Sequence, residues 1–324
     1  MATEGLQKAQ QGRKMEFDGP FITVIICTRN RAASLARTLE SLVEARASYT
    51  EDDWELLVVD NGSTDDTAAT IDRYGTRLPL RRISEPEAGL SHARNAGVSE
   101  ARGQYILWTD DDVLVHPQWL AAYAAAFTAR PQDAIFGGRT EPVLEEPVQQ
   151  WFADSVDQLA PLLAIRSEPD WTEISRWRVP YGLNYAIRGA EQRRYRYNPT
   201  LGVAPGRRRG GEEVDVIRRV LLDGGTGSWV WDATVYHLIP PERQTLSYIR
   251  TFFMSNGYDF PIGGASINPL KRARALLLTL GAARQANRAL RNLSMAETAD
   301  AVPWAILKAR AEGSLQRLLF RKGP

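Results

Sequence analysis

The chain of 324 residues contains one cysteine, Cys27. A lone thiol excludes an internal disulfide and any multi-cysteine zinc site, and it fits a reducing compartment. Net charge is also scarce: the sum is +1, which gives the whole molecule no electrostatic bias toward nucleic acid. No run of about eighteen apolar residues occurs, so no membrane-spanning helix is expected. Met1 to Asp18 is polar and lacks the apolar core of a signal peptide; it reads as a flexible lead-in. What remains, 44% hydrophobic and 24% charged residues, is ordinary for a soluble globular protein. The length suits one large domain or two small ones.

The first third alternates strands and helices. Phe21 to Cys27 is a β-branched run apolar enough for a strand buried on both faces, and Leu35, Leu39, Leu42 and Val43 mark a helix after it. Trp54 to Val59, Leu80 to Ser84 and Tyr105 to Thr109 are further strands, separated by helices over Asp66 to Tyr74 and Leu90 to Ala101. Right-handed crossovers would arrange such units as a mostly parallel sheet flanked by helices. Ligands then bind outside the carboxyl ends of the strands. Three polar clusters lie at those ends: Thr28-Arg29-Asn30, Asp60-Asn61-Gly62-Ser63 and Asp110-Asp111-Asp112. Beyond a helix at Trp119 to Ala129 and a strand at Ala134 to Gly138, residues Glu141 to Arg178 show little periodicity and read as irregular. Gly210-Gly211 opens a helix with Glu212, Glu213 and Asp215 in its first turn, where acids complement the macrodipole. A strand at Trp229 to Tyr236 ends at His237.

Three adjacent aspartates at a strand end repel one another unless a cation or strong donors neutralise them. The triplet therefore reads either as a metal-holding site or as a solvated turn or helix cap. Of the other histidines, His92 stands near a helix start and His116 in the loop after the triplet, and both look ordinary.

Four segments in order carry a resemblance: Val24 to Arg31, Val58 to Asp65, Gly89 to Gly97, and Asp110-Asp111-Asp112. Together they resemble family 2 glycosyltransferases of the GT-A fold. The likeness continues through Tyr181 to Arg188, Gly211-Glu212-Glu213 and Val235 to His237, and so covers about residues 21 to 260. It implies a metal-dependent, inverting transfer of a sugar from a nucleotide diphosphate donor, with a UDP-sugar the first choice, to a hydroxyl acceptor. The setting it suggests is polysaccharide, glycolipid or natural product glycosylation at the cytoplasmic side of a membrane. By the same resemblance Asp112, Asp110 and His237 would hold Mn²⁺ or Mg²⁺, the imidazole favouring Mn²⁺. Cys27, Thr28, Arg29, Asn30, Asp60 and Asn61 would meet the nucleoside, and Arg94, Asp110, Asp111 and Arg243 the ribose or diphosphate. Relatives often have Tyr in place of Arg29 and Asp in place of Asn61. The general base falls to Glu213, in a position where the family usually has Asp, with Glu212 as the alternative. Asn184, Tyr181 and Asp215 would lie on the acceptor or sugar side. Two other readings stand beside this one. Nucleotidyl transfer also uses strand-end carboxylates, and a catalytically idle binding scaffold would follow if the Asp-to-Glu change had removed the base.

The organisation expected is a lead-in over 1–18, the GT-A domain over 19–262 and a basic helical extension over 263–324. From Lys271 onward eleven bases face three acids, with leucines and alanines at near-helical spacing. Such a stretch either lies on an anionic membrane as a peripheral contact or caps the core with a solvated basic face.

Overall fold

The computed structural model describes residues 19–208, 210–264, 268–293 and 298–320; the expected lead-in over 1–18 lies outside them. The first half alternates as its periodicity predicts: β1 (Ile22–Thr28), α1 (Ala32–Ser48), β2 (Trp54–Asp60), α2 (Thr67–Tyr74), β3 (Leu80–Ser84), α3 (Leu90–Glu100) and β4 (Tyr105–Thr109). A short strand β5 (Val113–Val115), α4 (Trp119–Ala129) and β6 (Ile135–Leu144) follow. After α5 (Gln150–Ala153) and α6 (Ala160–Leu163) come β7 (Asn184–Arg188), α7 (Gly189–Arg194), a hairpin of β8 (Val203–Ala204) and β9 (Arg207–Arg208), α8 (Glu212–Leu222) and β10 (Gly227–Ile239). Three helices close the order: α9 (Leu246–Asp259), α10 (Pro269–Asn292) and α11 (Val302–Phe320).

Eight strands form one sheet in the order β3-β2-β1-β4-β7-β6-β10-β5. The pairs among β1, β2, β3 and β4 are parallel, as is β6 with β10; β7 and β5 run antiparallel to their neighbours. In the parallel register Thr28 stands opposite Asp60, and Ile26 opposite Thr109, so the three polar strand ends lie level along one edge. One apolar layer packs α1 and α4 on one face of the sheet, and a second packs α3 and α8 on the other. β1, β2 and β4 face both layers, which is why they read as continuous apolar runs.

Three segments depart from the sequence reading. Residues 141–178 hold the end of β6 and two short helices, and Trp151, Phe152, Leu159 and Leu163 join a third apolar cluster with Ile249 and Phe253 of α9 and Val302 of α11. Their spacing is too short for a helical period to be visible. Trp177, by contrast, is 77% exposed. The strand expected to end at Tyr236 runs on to Ile239, which puts His237 inside it. α9 and α11 cross in backbone contact: a Cβ at Gly313 would lie 1.8 Å from the Met254 carbonyl oxygen, and one at Gly257 would lie 2.1 Å from that of Arg310. Only glycine fits at either crossing point.

Asn184, expected on the acceptor side, is instead a core plug at 1% exposure. Between Val230 and Thr234 the register of β10 against β6 shifts, which leaves carbonyls without ladder partners. The Asn184 amide nitrogen donates to the carbonyls of Arg139 and Ala233 at 2.7 and 2.9 Å, while its oxygen accepts from Trp119 Nε1 and Tyr123 Oη, both at 2.9 Å. No hydrogen-bonding capacity is left for a substrate. Asn184→Ala removes four hydrogen bonds at once and is expected to cost about 3 kcal/mol or more, read as a lower urea midpoint with an unchanged slope.

Candidate active site

The aspartate triplet follows β4, and its three members do different things. Asp111 is directed inward. Its Oδ2 accepts from Thr28 Oγ1 at 2.7 Å, its Oδ1 pairs with Arg31 at 2.5 Å, and its carbonyl accepts from Ser34 Oγ at 2.7 Å. Burial raises its pKa to about 6 against the opposing charge of Arg31. Asp111 therefore ties the triplet to the exit of β1 and the start of α1, with its two carboxylate oxygens engaged by Thr28 and Arg31.

Asp112 is surrounded by nitrogen. Its Oδ2 lies 2.8 Å from Arg243 and 3.1 Å from Arg31, and its Oδ1 is 3.9 Å from His237 Nε2. Burial pushes its pKa up, but His237, Arg243 and Arg31 together outweigh that and hold it below the usual carboxylate range. His237 sits beside Asp112 because β10 pairs with β5 just past the triplet. The carbonyl of Leu163, at the end of α6, lies 2.9 Å from His237 Nδ1. A carbonyl only accepts, so Nδ1 carries a proton, and in the neutral ring Nε2 is the nitrogen left with a lone pair, on the side of Asp112. Arg243 lies 3.3 Å from that Nε2 and bridges the pair.

Asp110, the most open of the three, lies 3.8 Å from Arg94. Arg94 is 2% exposed, yet it is the hub of the site. It pairs with Glu212 at 3.2 Å, donates to the Gly182 carbonyl at 3.3 Å, and lies 5.4 to 6.0 Å from the ring centres of Trp108, Tyr185 and Tyr197. Three aromatic faces make a burial site in which a guanidinium is tolerated. The rings are themselves fixed: the hydroxyls of Tyr185 and Tyr197 are 2.5 Å apart, and Gln192 Oε1 accepts from Tyr197 and from Trp108 Nε1, both at 3.1 Å.

Gly211, at φ +85°, turns the chain into α8 and sets Glu212, Glu213 and Asp215 in its first turn. Glu212 faces inward to Arg94. Glu213 is half-buried, and among the described residues it enters no ion pair. Burial and the neighbouring Glu212 charge push its carboxyl up to about 7. Asp215 instead pairs with Arg219 one turn along at 2.9 Å, a helix-surface arrangement. Tyr181 is half-buried with the Arg166 guanidinium 4.5 Å from its ring centre.

The expected nucleoside contacts divide in the same way. The Asn61 amide donates to the carbonyls of Glu85 and Glu87 at 3.0 and 2.7 Å and accepts from Gly89 N at 2.8 Å. It pins the loop after β3, with both amide protons spent on carbonyls. Asn30, at φ 53°, accepts from Thr64 N at 2.7 Å, stitching the loops after β1 and β2 together. Arg29 donates to the Asn61 carbonyl at 2.7 Å. Asp60 Oδ1 caps Ser63 N at 2.9 Å, leaving its other oxygen at the strand end beside Cys27 and Thr28. Arg31 carried no expected role, although three clustered acids required a cation, and the TRNR loop supplies it.

Among the described residues no three His, Cys, Asp or Glu side chains converge as a closed metal cage. Asp112 and His237 nonetheless offer a carboxylate oxygen and, in the neutral ring, the Nε2 lone pair on one side, with Asp110 near by. That donor set fits a divalent cation whose other positions are filled by phosphate and water.

A mixed, mostly parallel sheet with flanking helices and this strand-end cluster defines a GT-A-like protein. The mannosyltransferase PcManGT from Pyrobaculum calidifontis, solved with GDP-Man and Mn²⁺, superposes with a TM-score of 0.62 at 19% identity, over 98% of this chain and 94% of that one. TarS residues 1–349 from S. aureus, solved with UDP-GlcNAc, gives 0.52 at 16% identity, over 91% of each. The sequence profile of glycosyl transferase family 2 matches residues 23–171 of the chain. Validoxylamine A glucosyltransferase from Streptomyces hygroscopicus subsp. jinggangensis is 37% identical over 121 residues, which is 36% of this chain and 28% of that one. Hyaluronan synthase from Pasteurella multocida is 31% identical over 135 residues, 41% of this chain and 14% of that one. The chain thus matches less than a third of the length of either relative.

Proposed function

We propose that the protein is a metal-dependent glycosyltransferase that moves a sugar from a nucleotide diphosphate donor to a hydroxyl acceptor with inversion. The observation that carries this reading is the Asp110–Arg94–Glu212 chain. It links the donor-side strand end to the helix that presents Glu213, so the two halves of a transfer site are held by one buried cation. Glu213, poised near neutrality and in no ion pair among the described residues, is suited to take the acceptor proton as the hydroxyl attacks. Glu212, engaged by Arg94, is the positioning partner. Asp112 and His237 would hold a divalent cation, Mn²⁺ favoured by the imidazole, and such an ion when bound neutralises charge on the leaving diphosphate. Arg31 and Arg243 flank the same place and supply positive charge to phosphate oxygens. The free oxygen of Asp60 and the backbone of Cys27 and Thr28 face the nucleoside. UDP is the first choice of base, since one structural neighbour carries UDP-GlcNAc although the other carries GDP-Man.

Calorimetry with UDP, GDP and dTDP, with and without Mn²⁺, tests the reading. One nucleotide is expected to bind at least about tenfold more tightly with metal, and Asp112→Asn to abolish that gain. A folded protein that binds none of the three would leave an idle scaffold as the better description.

A further inference from the structure

α10 presents two different faces. Ala275, Thr279, Ala286 and Leu290 are buried and repeat at helical spacing, so this face is packed against the molecule. On the opposite side Leu270, Arg274, Leu277, Gly281, Arg284, Arg288 and Arg291 follow one another at alternating steps of four and three, and every one is exposed. Leu270 is 82% exposed, Leu277 71% and the adjacent Leu278 49%. The 24-residue helix contains no acid at all. Lys271 and Arg274 flank the leucines, and the arginines continue the stripe beyond them.

A solvated basic cap needs no leucines in its outward stripe, and an exposed apolar patch needs a partner. Leucines interleaved with uncompensated bases match a surface that is apolar beneath and anionic above, which is the composition of a lipid bilayer interface. The patch also extends toward the site. Phe260, 48% exposed, lies beside Gly211, where an added Cβ would meet its ring at 3.9 Å, and Gly263 packs on Ala275 and Leu278. The apolar rim therefore runs from the entry of α8, which carries Glu213, to the first turns of α10.

We infer that the outward face of α10, with Phe260, docks the protein on an anionic lipid bilayer. No described helix is long and apolar enough to cross a membrane; this contact is made in the plane of the surface. On the glycosyltransferase reading above, docking brings the acceptor-side helix to the level of the lipid headgroups and suits an acceptor hydroxyl carried on a lipid.

The test is co-sedimentation of the full chain with phosphatidylcholine vesicles, with and without phosphatidylglycerol, at low and high salt. The wild type is expected to partition onto the anionic vesicles and not the neutral ones. Because each base near the surface contributes about fivefold, Arg274→Glu/Arg284→Glu/Arg288→Glu should weaken partition about a hundredfold or more. Leu270→Ser/Leu277→Ser should weaken it several-fold and leave the residual binding fully salt-sensitive. All five side chains are exposed, and unchanged melting curves would show the variants folded. The inference is overturned if the wild type stays in solution with anionic vesicles, or if the charge-reversed variant binds as well as the wild type. It is equally overturned if double-stranded DNA retains the protein while vesicles do not, which would make the face a polyanion site. Nucleotide calorimetry on the same preparation reports separately on the transfer reading, so either can fail alone.

Discussion

Glu213→Gln is expected to lower transfer by about 10²–10⁴-fold while leaving metal-dependent nucleotide binding intact. The substitution keeps the size of the side chain and removes its capacity to accept a proton. Only the carboxylate form acts as base, and burial beside Glu212 pushes the carboxyl up to about 7. In the wild type, kcat/KM should accordingly rise with pH through neutrality and level off above it, since below that point the group is already protonated. In Glu213→Gln the residual rate should lose that limb. A variant that turned over normally would remove Glu213 from the chemistry and return the role to Glu212. Glu212 lies 3.2 Å from a fully buried guanidinium, so its carboxylate is already engaged, whereas Glu213 enters no ion pair among the described residues.

The second large effect concerns stability. Arg94→Met keeps an unbranched apolar stem but leaves Glu212, 4% exposed, as a buried charge without its cation. Losing one partner of such a pair costs about 3–5 kcal/mol, measurable as a shift in the guanidinium midpoint. Pairing the change with Glu212→Leu should recover most of the loss, because the desolvated charge disappears with its partner. Transfer should not recover in the double variant, since the tie from Asp110 to the α8 entry is absent. Recovery of both stability and transfer would mean that Arg94 serves packing alone.

How much of this was legible in the sequence differs by element. β1, β2 and β4 were readable because burial on both faces leaves a long apolar run, and the polar strand ends marked the working edge. β7 was hidden: it is five residues long, and its first, Asn184, is a polar residue serving the core. Its amide fills a gap that exists only where β10 slips against β6, and a register shift has no signature in a single strand. The triplet was readable as a cluster but not as a division of labour, because the inward turn of Asp111 depends on Thr28 and Arg31, some eighty positions earlier. The structural part of Asn61 was hidden for a related reason: its amide protons go to the loop that folds back after β3, and that fold leaves no mark at position 61. The identity of donor base and acceptor is set by the shape of loops such as 141–178, where residue type carries little information about direction.

The apolar cluster that joins Trp151 and Phe152 to Phe253 and Val302 bears on how the molecule comes apart. It spans the expected boundary between the domain over 19–262 and the extension over 263–324. The helices beyond that boundary are clamped at Gly313 against the Met254 carbonyl, and they cover side chains whose neighbours set the His237 tautomer through Leu163. Release of the C-terminal helices would uncover those side chains and loosen the imidazole together. Denaturation of the catalytic edge and of the terminal helices is thereby one cooperative event, and chain termination after α10 would be felt as far away as Asp112.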